Sequence, residues 1–336
     1  MDAPAWSARQ GLLTAGSVVL ALVFAASLGI EGMWWAAISA WMVSNPDFRA
    51  MLSKAVMRLV GTIGGLALGY ALAIAMEGFV PFQALAVFVA SAGGCYLRFG
   101  SRYGYAWFYG CITLVLMITV SITQTDTLFT FAQFRFMEIA CGVVASALVH
   151  RLGRPRPSQL PPPAPAAAAS EFDLPHVALV GGFATLAMMG LWSLTDLPDL
   201  PQAIVSCLVV LDRDFATVQV RARQRFIGCM LGMLLGLVAL LFEFDSMLVY
   251  VTVLFAGIFY FSRLHNGAGP QAYIGTQGGF AFITAMVTDN GPPNALLPVI
   301  DRLAGVVIGV VVIVAISFVL SATLRRARPV ASSASD

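Results

Sequence analysis

Residues 58–69 read RLVGTIGGLALG, and residues 225–236 read RFIGCMLGMLLG. Each stretch opens on an arginine and places glycines three, seven and eleven residues later: Arg58, Gly61, Gly65 and Gly69, then Arg225, Gly228, Gly232 and Gly236. The two copies lie 167 residues apart. The same shift carries Asp47-Phe48 onto Asp214-Phe215, Arg135 onto Arg302, Gly142 onto Gly309 and Val143-Val144 onto Val310-Val311. One ungapped offset that matches both glycine ladders and rare arginines within apolar runs marks an internal duplication. Glycines at i, i+4 and i+8 share a helix face. In lipid, where no hydrophobic drive brings helices together, such a face lets them approach closely. The ladders therefore read as packing surfaces.

Composition sets the solvent. Soluble domains are about a quarter charged, whereas this chain of 336 residues is 11% charged and 59% hydrophobic, with a mean hydropathy of +0.85. Too little polar surface remains to cover a water-soluble fold. A net charge of +2 gives no nucleic-acid footprint. The reading is an all-α membrane protein of about twelve transmembrane helices, arranged as two parallel six-helix repeats. Apolar runs at 11–30, 33–44, 59–76, 81–97, 105–122 and 129–149 form a first unit (1–150). A Pro/Ala-rich tether follows (151–172). Runs at 175–194, 203–211, 226–242, 247–261, 272–287 and 296–320 form a second unit (173–324), with a tail at 325–336. The first run is long enough to span ~30 Å and is expected to be retained as a membrane helix rather than cleaved as a signal peptide. An even number of helices gives both units the same orientation and a pseudo-two-fold axis along the membrane normal.

Charge placement orients the chain. Seventeen of the nineteen Lys and Arg lie at the N-terminus, in alternate loops, in the tether or in the tail. The other loops carry only acids, among them Glu31, Glu77, Asp126 and Asp245. By the positive-inside rule both termini and the tether are cytoplasmic, in a bacterial inner membrane.

The two remaining arginines are Arg135 and Arg302, each about seven residues into the last helix of its unit. An arginine at such depth is costly and usually faces a bundle interior or an aqueous path. Glu138 stands at i+3 from Arg135, close enough to pair, while position 305 is Gly305, so Arg302 lacks that counterpart. Two readings stand side by side: paired cations that attract an anion along a central path, or ion pairs that fix packing. Arg58 and Arg225 are placed at the cytoplasmic surface, snorkelling to phosphates or recruiting anions. The second run of each unit is short, a pointer to a transport site. An amphipathic stretch from Phe48 to Leu59 reads as an interfacial helix. The fifth runs carry polar and aromatic groups at depth: Tyr109 and Thr113, then Thr276 and Gln277. Aromatics beside arginine suit an aromatic carboxylate. Cys95, Cys111, Cys141, Cys207 and Cys229 read as small packing residues. His150, His176 and His265 read as interfacial rather than metal ligands. No Walker loop, nucleophile elbow, metal cluster or cofactor motif is present, so the chain is read as no enzyme and as needing no cofactor.

The duplicated R-x2-G-x3-G-x3-G of the third helix and R-x6-G of the sixth resemble the fusaric acid resistance and aromatic acid exporter superfamily, whose broad group includes plant aluminium-activated malate transporters. The resemblance implies an inner-membrane exporter of aromatic carboxylic acids, or an organic-anion channel, with a small organic anion as substrate. It implies a periplasmic membrane-fusion adaptor as partner and leaves room for a homo-oligomer. By analogy with the plant channels, Arg135 and Arg302 would face the path, with Glu138 as the candidate for proton coupling. An arginine beside that glutamate favours the ionised carboxylate and argues against easy protonation. Larger bacterial relatives carry a sizeable cytoplasmic domain where this chain has only the tether. A passive channel and a non-transporting envelope scaffold are the rival readings.

Overall fold

The computed structural model describes residues 3–153, 173–195, 200–241, 244, 246–267, 269, 271–288 and 297–327. Their regular structure is helical: α1 (Ala3–Ser27), α2 (Met33–Val43), α3 (Phe48–Ala75), α4 (Val80–Gly100), α5 (Gly104–Thr123), α6 (Leu128–Leu152), α7 (Leu174–Thr195), α8 (Leu200–Val210), α9 (Phe215–Leu240), α10 (Met247–His265), α11 (Ala272–Met286) and α12 (Leu297–Ala327), with a 3-10 turn at Thr125–Thr127. α6 ends at Leu152, two residues past the end expected for the first unit; positions 154–172 and the tail beyond 327 lie outside the described residues.

Nine of these helices are long and apolar enough to cross a membrane. The chain is therefore a multi-pass helical membrane protein. The other three are α2, α8 and α11, of 11, 11 and 15 residues. At ~1.5 Å per residue the first two reach ~16 Å, about half the ~30 Å hydrocarbon core. Both are wrapped by other helices, with buried side chains on every face. Short segments of this kind are tolerated at membrane depth where protein surrounds them.

The repeated Asp-Phe pairs start helices. Asp47 caps α3 by accepting from the Arg49 amide at 2.9 Å, and Asp214 caps α9 by accepting from the Thr217 amide at 2.9 Å. Those amide and hydroxyl donors hold the Asp214 carboxyl below its ordinary range. Because the cap sits at Asp47, the stretch from Phe48 to Leu59 is no separate interfacial helix. It forms the first three turns of the same 28-residue helix that carries the glycine ladder. Its apolar side faces protein, with Met51 and Ala55 in a small core against Ile139 and Val143 of α6.

The ladders pack as expected. A Cβ at Gly61 or Gly65 would come within 3.0 Å of the Ala106 or Gly110 carbonyl of α5; at Gly228 or Gly232 it would meet the Ile274 or Gly278 carbonyl of α11 just as closely. Here the correspondence between halves is 168 rather than 167, since Gly110 answers to Gly278. A single residue has been gained before the fifth helix of the second half and lost after it.

The main packing contacts of one half have counterparts in the other: α3 on α5 and α9 on α11, α2 on α6 and α8 on α12, α4 on α5 and α10 on α11. Between halves, α4 packs on α7 and α1 on α10. One apolar core runs from Val87 and Phe108 into Met188, Ile204 and Val306. The five cysteines are free and buried in these cores.

Candidate substrate site

The short helix α2 packs on α3 and α11, and the short helix α8 packs on α5 and α9. A small cavity lies between them, lined by Arg58, Arg135 and Arg225 together with Trp35, Tyr109 and Gln277.

Arg58 and Arg225 enter it as a matched pair. Arg58 lies ten residues inside α3, ~15 Å from the helix start. Its Nε donates to Ser39 Oγ on α2 at 2.9 Å, and its guanidinium stacks over the Tyr109 ring at 4.2 Å. Arg225 donates from Nη2 to Ser206 Oγ on α8 at 2.9 Å and from Nη1 to Gln277 Oε1. Ser39 and Ser206 are one repeat apart, as are Arg58 and Arg225. Tyr109 and Gln277 correspond at the fifth-helix offset. Snorkelling to phosphates does not describe these arginines: each is 1% exposed. The cause is the continuous helix, which carries them well past its first turns.

Arg135 on α6 is 3% exposed and holds Glu138 at 3.6 Å in the expected i, i+3 ion pair. Its Cζ lies 3.4 Å from the Trp35 ring centroid. Glu138 does not line the cavity. Its carboxylate covers Gly32, the left-handed residue (φ 80°) at the start of α2, where a Cβ would come within 2.5 Å of Oε1. Gly32 is thus required twice, by backbone and by space. A carboxylate at a helix N-terminus is also stabilised by the helix dipole.

Arg302 does not line the cavity. It donates from Nη1 to the Thr284 carbonyl at 2.7 Å and lies 4.7 Å from the Trp34 ring. Trp34 and Trp35 stack on each other at 4.0 Å. Arg135 and Arg302 therefore stand on either side of a tryptophan pair rather than facing each other across open space. Thr113 and Thr276 reach the cavity, but their hydroxyls bond to the Tyr109 and Ala272 carbonyls of their own helices, and Thr276 also contacts His265 Nδ1 at 2.6 Å. The ladder glycines Gly61, Gly65, Gly69, Gly228, Gly232 and Gly236 serve packing and stand behind the site. His150 is not interfacial. It is buried at 3%, with Nε2 3.2 Å from both Gln10 and Ser44, because α1 and α2 close over it.

The electrostatics follow from burial. Three guanidiniums meet at one low-dielectric point, and Glu138 offsets only one of them. Nη1 of Arg58, Nε and Nη1 of Arg135, and Nε of Arg225 make no hydrogen bond among the described residues. Buried charges left without partners are costly, and donors of this kind fit an anion with several acceptor oxygens. The cavity measures about 50 Å³, room for a few waters and far below the ~300 Å³ of the smallest usual ligand sites. This conformation is constricted. No cluster of His, Cys, Asp or Glu suited to a metal occurs among the described residues.

Sequence reasoning missed the depth of Arg58 and Arg225. The signal was there: ten residues separate each arginine from its Asp cap, and Ser39 and Ser206 sit at equal spacing before them.

Nine apolar helices among the described residues, long enough to cross a membrane, define a class, the multi-pass helical membrane protein. The model of the Fusaric acid resistance protein family matches residues 8–162, and that of the Fusaric acid resistance protein-like family matches residues 183–316. The two matches together cover most of the chain, which belongs to the fusaric acid resistance-like membrane proteins, a family of membrane transporters. No curated protein and no solved structure matches it significantly.

Proposed function

We propose that the protein exports small organic anions, aromatic carboxylates in particular, across the bacterial inner membrane through the central cavity. The observation that carries this reading is the set of buried, incompletely bonded guanidiniums of Arg58, Arg135 and Arg225 around one constricted point. A carboxylate arriving there would replace missing hydrogen bonds with charge-assisted ones. Tyr109 and Trp35, already stacked on guanidiniums, offer faces to an aromatic ring, and Gln277 orients Arg225. Thr113 and Thr276 shape the wall. Arg302 and Arg135, on either side of Trp34 and Trp35, form an outer station at the α2 N-terminus.

The reading includes twelve membrane-embedded helices in two parallel repeats about a pseudo-two-fold normal to the membrane, with the short α2 and α8 spanning only part of its depth. The paired helix contacts and the Ser39–Arg58 and Ser206–Arg225 bonds support it. The distribution of basic residues supports cytoplasmic termini. A periplasmic membrane-fusion adaptor would receive the product, as the family resemblance implies.

A passive anion channel is the second reading. It is favoured by one observation: no carboxylate or histidine lines the cavity, and Glu138 is engaged elsewhere. The test compares export of aromatic and aliphatic carboxylates from cells carrying wild type or the Arg58→Gln, Arg225→Gln double variant at matched membrane levels. The proposal expects one substrate class to be retained in the variant cells. Equal export of every substrate would sink it. Steady anion conductance in planar bilayers without any gradient of protons would move the channel ahead.

A further inference from the structure

The first half carries a second hollow that transport does not use. Between α3 and α4, with α5 as its floor, runs an apolar groove of about 680 Å³ whose backbone walls include Gly61, Gly64, Gly65, Gly93, Gly94 and Gly110. Its rims, Val56, Val60, Val89 and Trp107, are about half exposed. From Val56 to Leu68 it follows α3 for ~18 Å. At the end nearest the start of α3 it joins an open basin that holds Arg49 and Arg102, with Val56, Met57 and Tyr103 lining both. Both arginines are exposed, and neither belongs to an ion pair among the described residues.

The second half differs at the groove and at the two basin arginines, although an exposed Arg223 stands one repeat on from Val56. Gly64, Gly93 and Gly94 fall on Leu231, Tyr260 and Phe261, one repeat on. The Phe261 ring lies over Gly278, the counterpart of Gly110, so the ring fills the space the groove occupies in the first half. Arg49 and Arg102 fall on Ala216 and Gly269. A structural need for close helix packing would keep small residues in both halves without regard to the arginines. An open apolar slot that runs into a basic mouth fits one amphiphile with an apolar tail and an anionic head.

We propose that this groove is a binding site for an anionic phospholipid, with one acyl chain along α3 and the phosphate between Arg49 and Arg102. The groove opens sideways along a crossing helix, where hydrocarbon is the available solvent, and basic pockets at membrane level hold anionic head groups. Added Cβ atoms at Gly64 and Gly93 meet nothing within 4 Å. Side chains there would enter the groove without disturbing the fold.

Native mass spectrometry of the purified full chain tests this, using phosphatidylglycerol and phosphatidylcholine of identical acyl chains. Wild type is expected to retain one phosphatidylglycerol, favoured about fivefold or more over phosphatidylcholine, since each basic residue near the surface contributes roughly that factor. Arg49→Gln with Arg102→Gln should abolish the preference. Gly64→Leu with Gly93→Tyr should reduce retention of both lipids. Equal retention of the two lipids by wild type would overturn the proposal, as would retention unchanged in both variants. A lipid-free dimer that hides the groove would overturn it too.

Discussion

A guanidinium inside a membrane bundle persists only where protein, water or an anion receives its donors. Arg135 was recognisable from sequence as such a residue, and so was its pairing with Glu138 at one helical turn. The roles of Arg58 and Arg225 were harder to read, because their spacing from the Asp caps gives depth only if the amphipathic stretch and the following apolar run are one helix. The Asp cap decides it, and the cap places both arginines at the centre. Arg302 shows the converse. Its depth was legible, but the tryptophan pair that separates it from Arg135 comes from a different helix and from tertiary packing alone. On this account Glu138 is a structural counter-ion. Glu138→Gln should leave Arg135 buried without its partner and lower stability by about 3–5 kcal/mol, read as a lower melting temperature in detergent. The pH dependence of transport should stay unchanged. A flattened pH profile with normal stability would instead assign Glu138 to proton coupling.

At the scale of the helix, the ladders make a sharper distinction than their sequence suggests. Gly64 and Gly65 are neighbours, yet an added Cβ at Gly65 meets the Gly110 carbonyl while one at Gly64 meets nothing within 4 Å. Gly65→Ala should therefore destabilise by roughly 1–3 kcal/mol, as overpacking does. Gly64→Ala should be neutral or slightly stabilising, because alanine is the better helix former. Thermal unfolding of the two purified variants separates them, and equal melting temperatures would contradict the packing described. Most helices were readable from apolar runs within a few residues, but α3 and α9 begin about three turns before their runs and α1 about two turns before its own. The short α2 and α8 were visible as short runs, but their position at the centre of the bundle was not. In α2 the stacked Trp34 and Trp35 stand beside the constriction. On the transport account they close it, so Trp35→Ala should raise anion leak through reconstituted protein. A leak no greater than wild type would place the closure elsewhere.

Across the whole molecule the duplication was the most legible feature, since a constant offset needs no structure to be seen. What sequence could not give was the inexactness of the repeat. The shift of one residue at the fifth helix brings Gln277, rather than Thr276, into register with Tyr109, so one arginine meets an aromatic face and its twin an amide. The halves also diverge at the surface, where Gly64, Gly93 and Gly94 of the first half's open groove are replaced by Leu231, Tyr260 and Phe261 in the second. On the proposed transport reading, the two unequal halves would offer a substrate an asymmetric site: a ring-stacking side near Arg58, Tyr109 and Trp35, and a hydrogen-bonding side near Arg225 and Gln277. That asymmetry suits a molecule with an aromatic body and one charged end.

The most direct measurement is transport of labelled benzoate and its neutral counterpart benzamide by the purified protein in proteoliposomes. Both wild type and the Arg58→Gln, Arg225→Gln variant would be reconstituted to equal density. The account predicts that wild type moves benzoate and not benzamide above the protein-free leak. It also predicts that the variant loses benzoate transport at least tenfold, equivalent to ~1.4 kcal/mol. Benzoate transport at the wild-type rate in the variant, or benzamide moving as fast as benzoate, would contradict it.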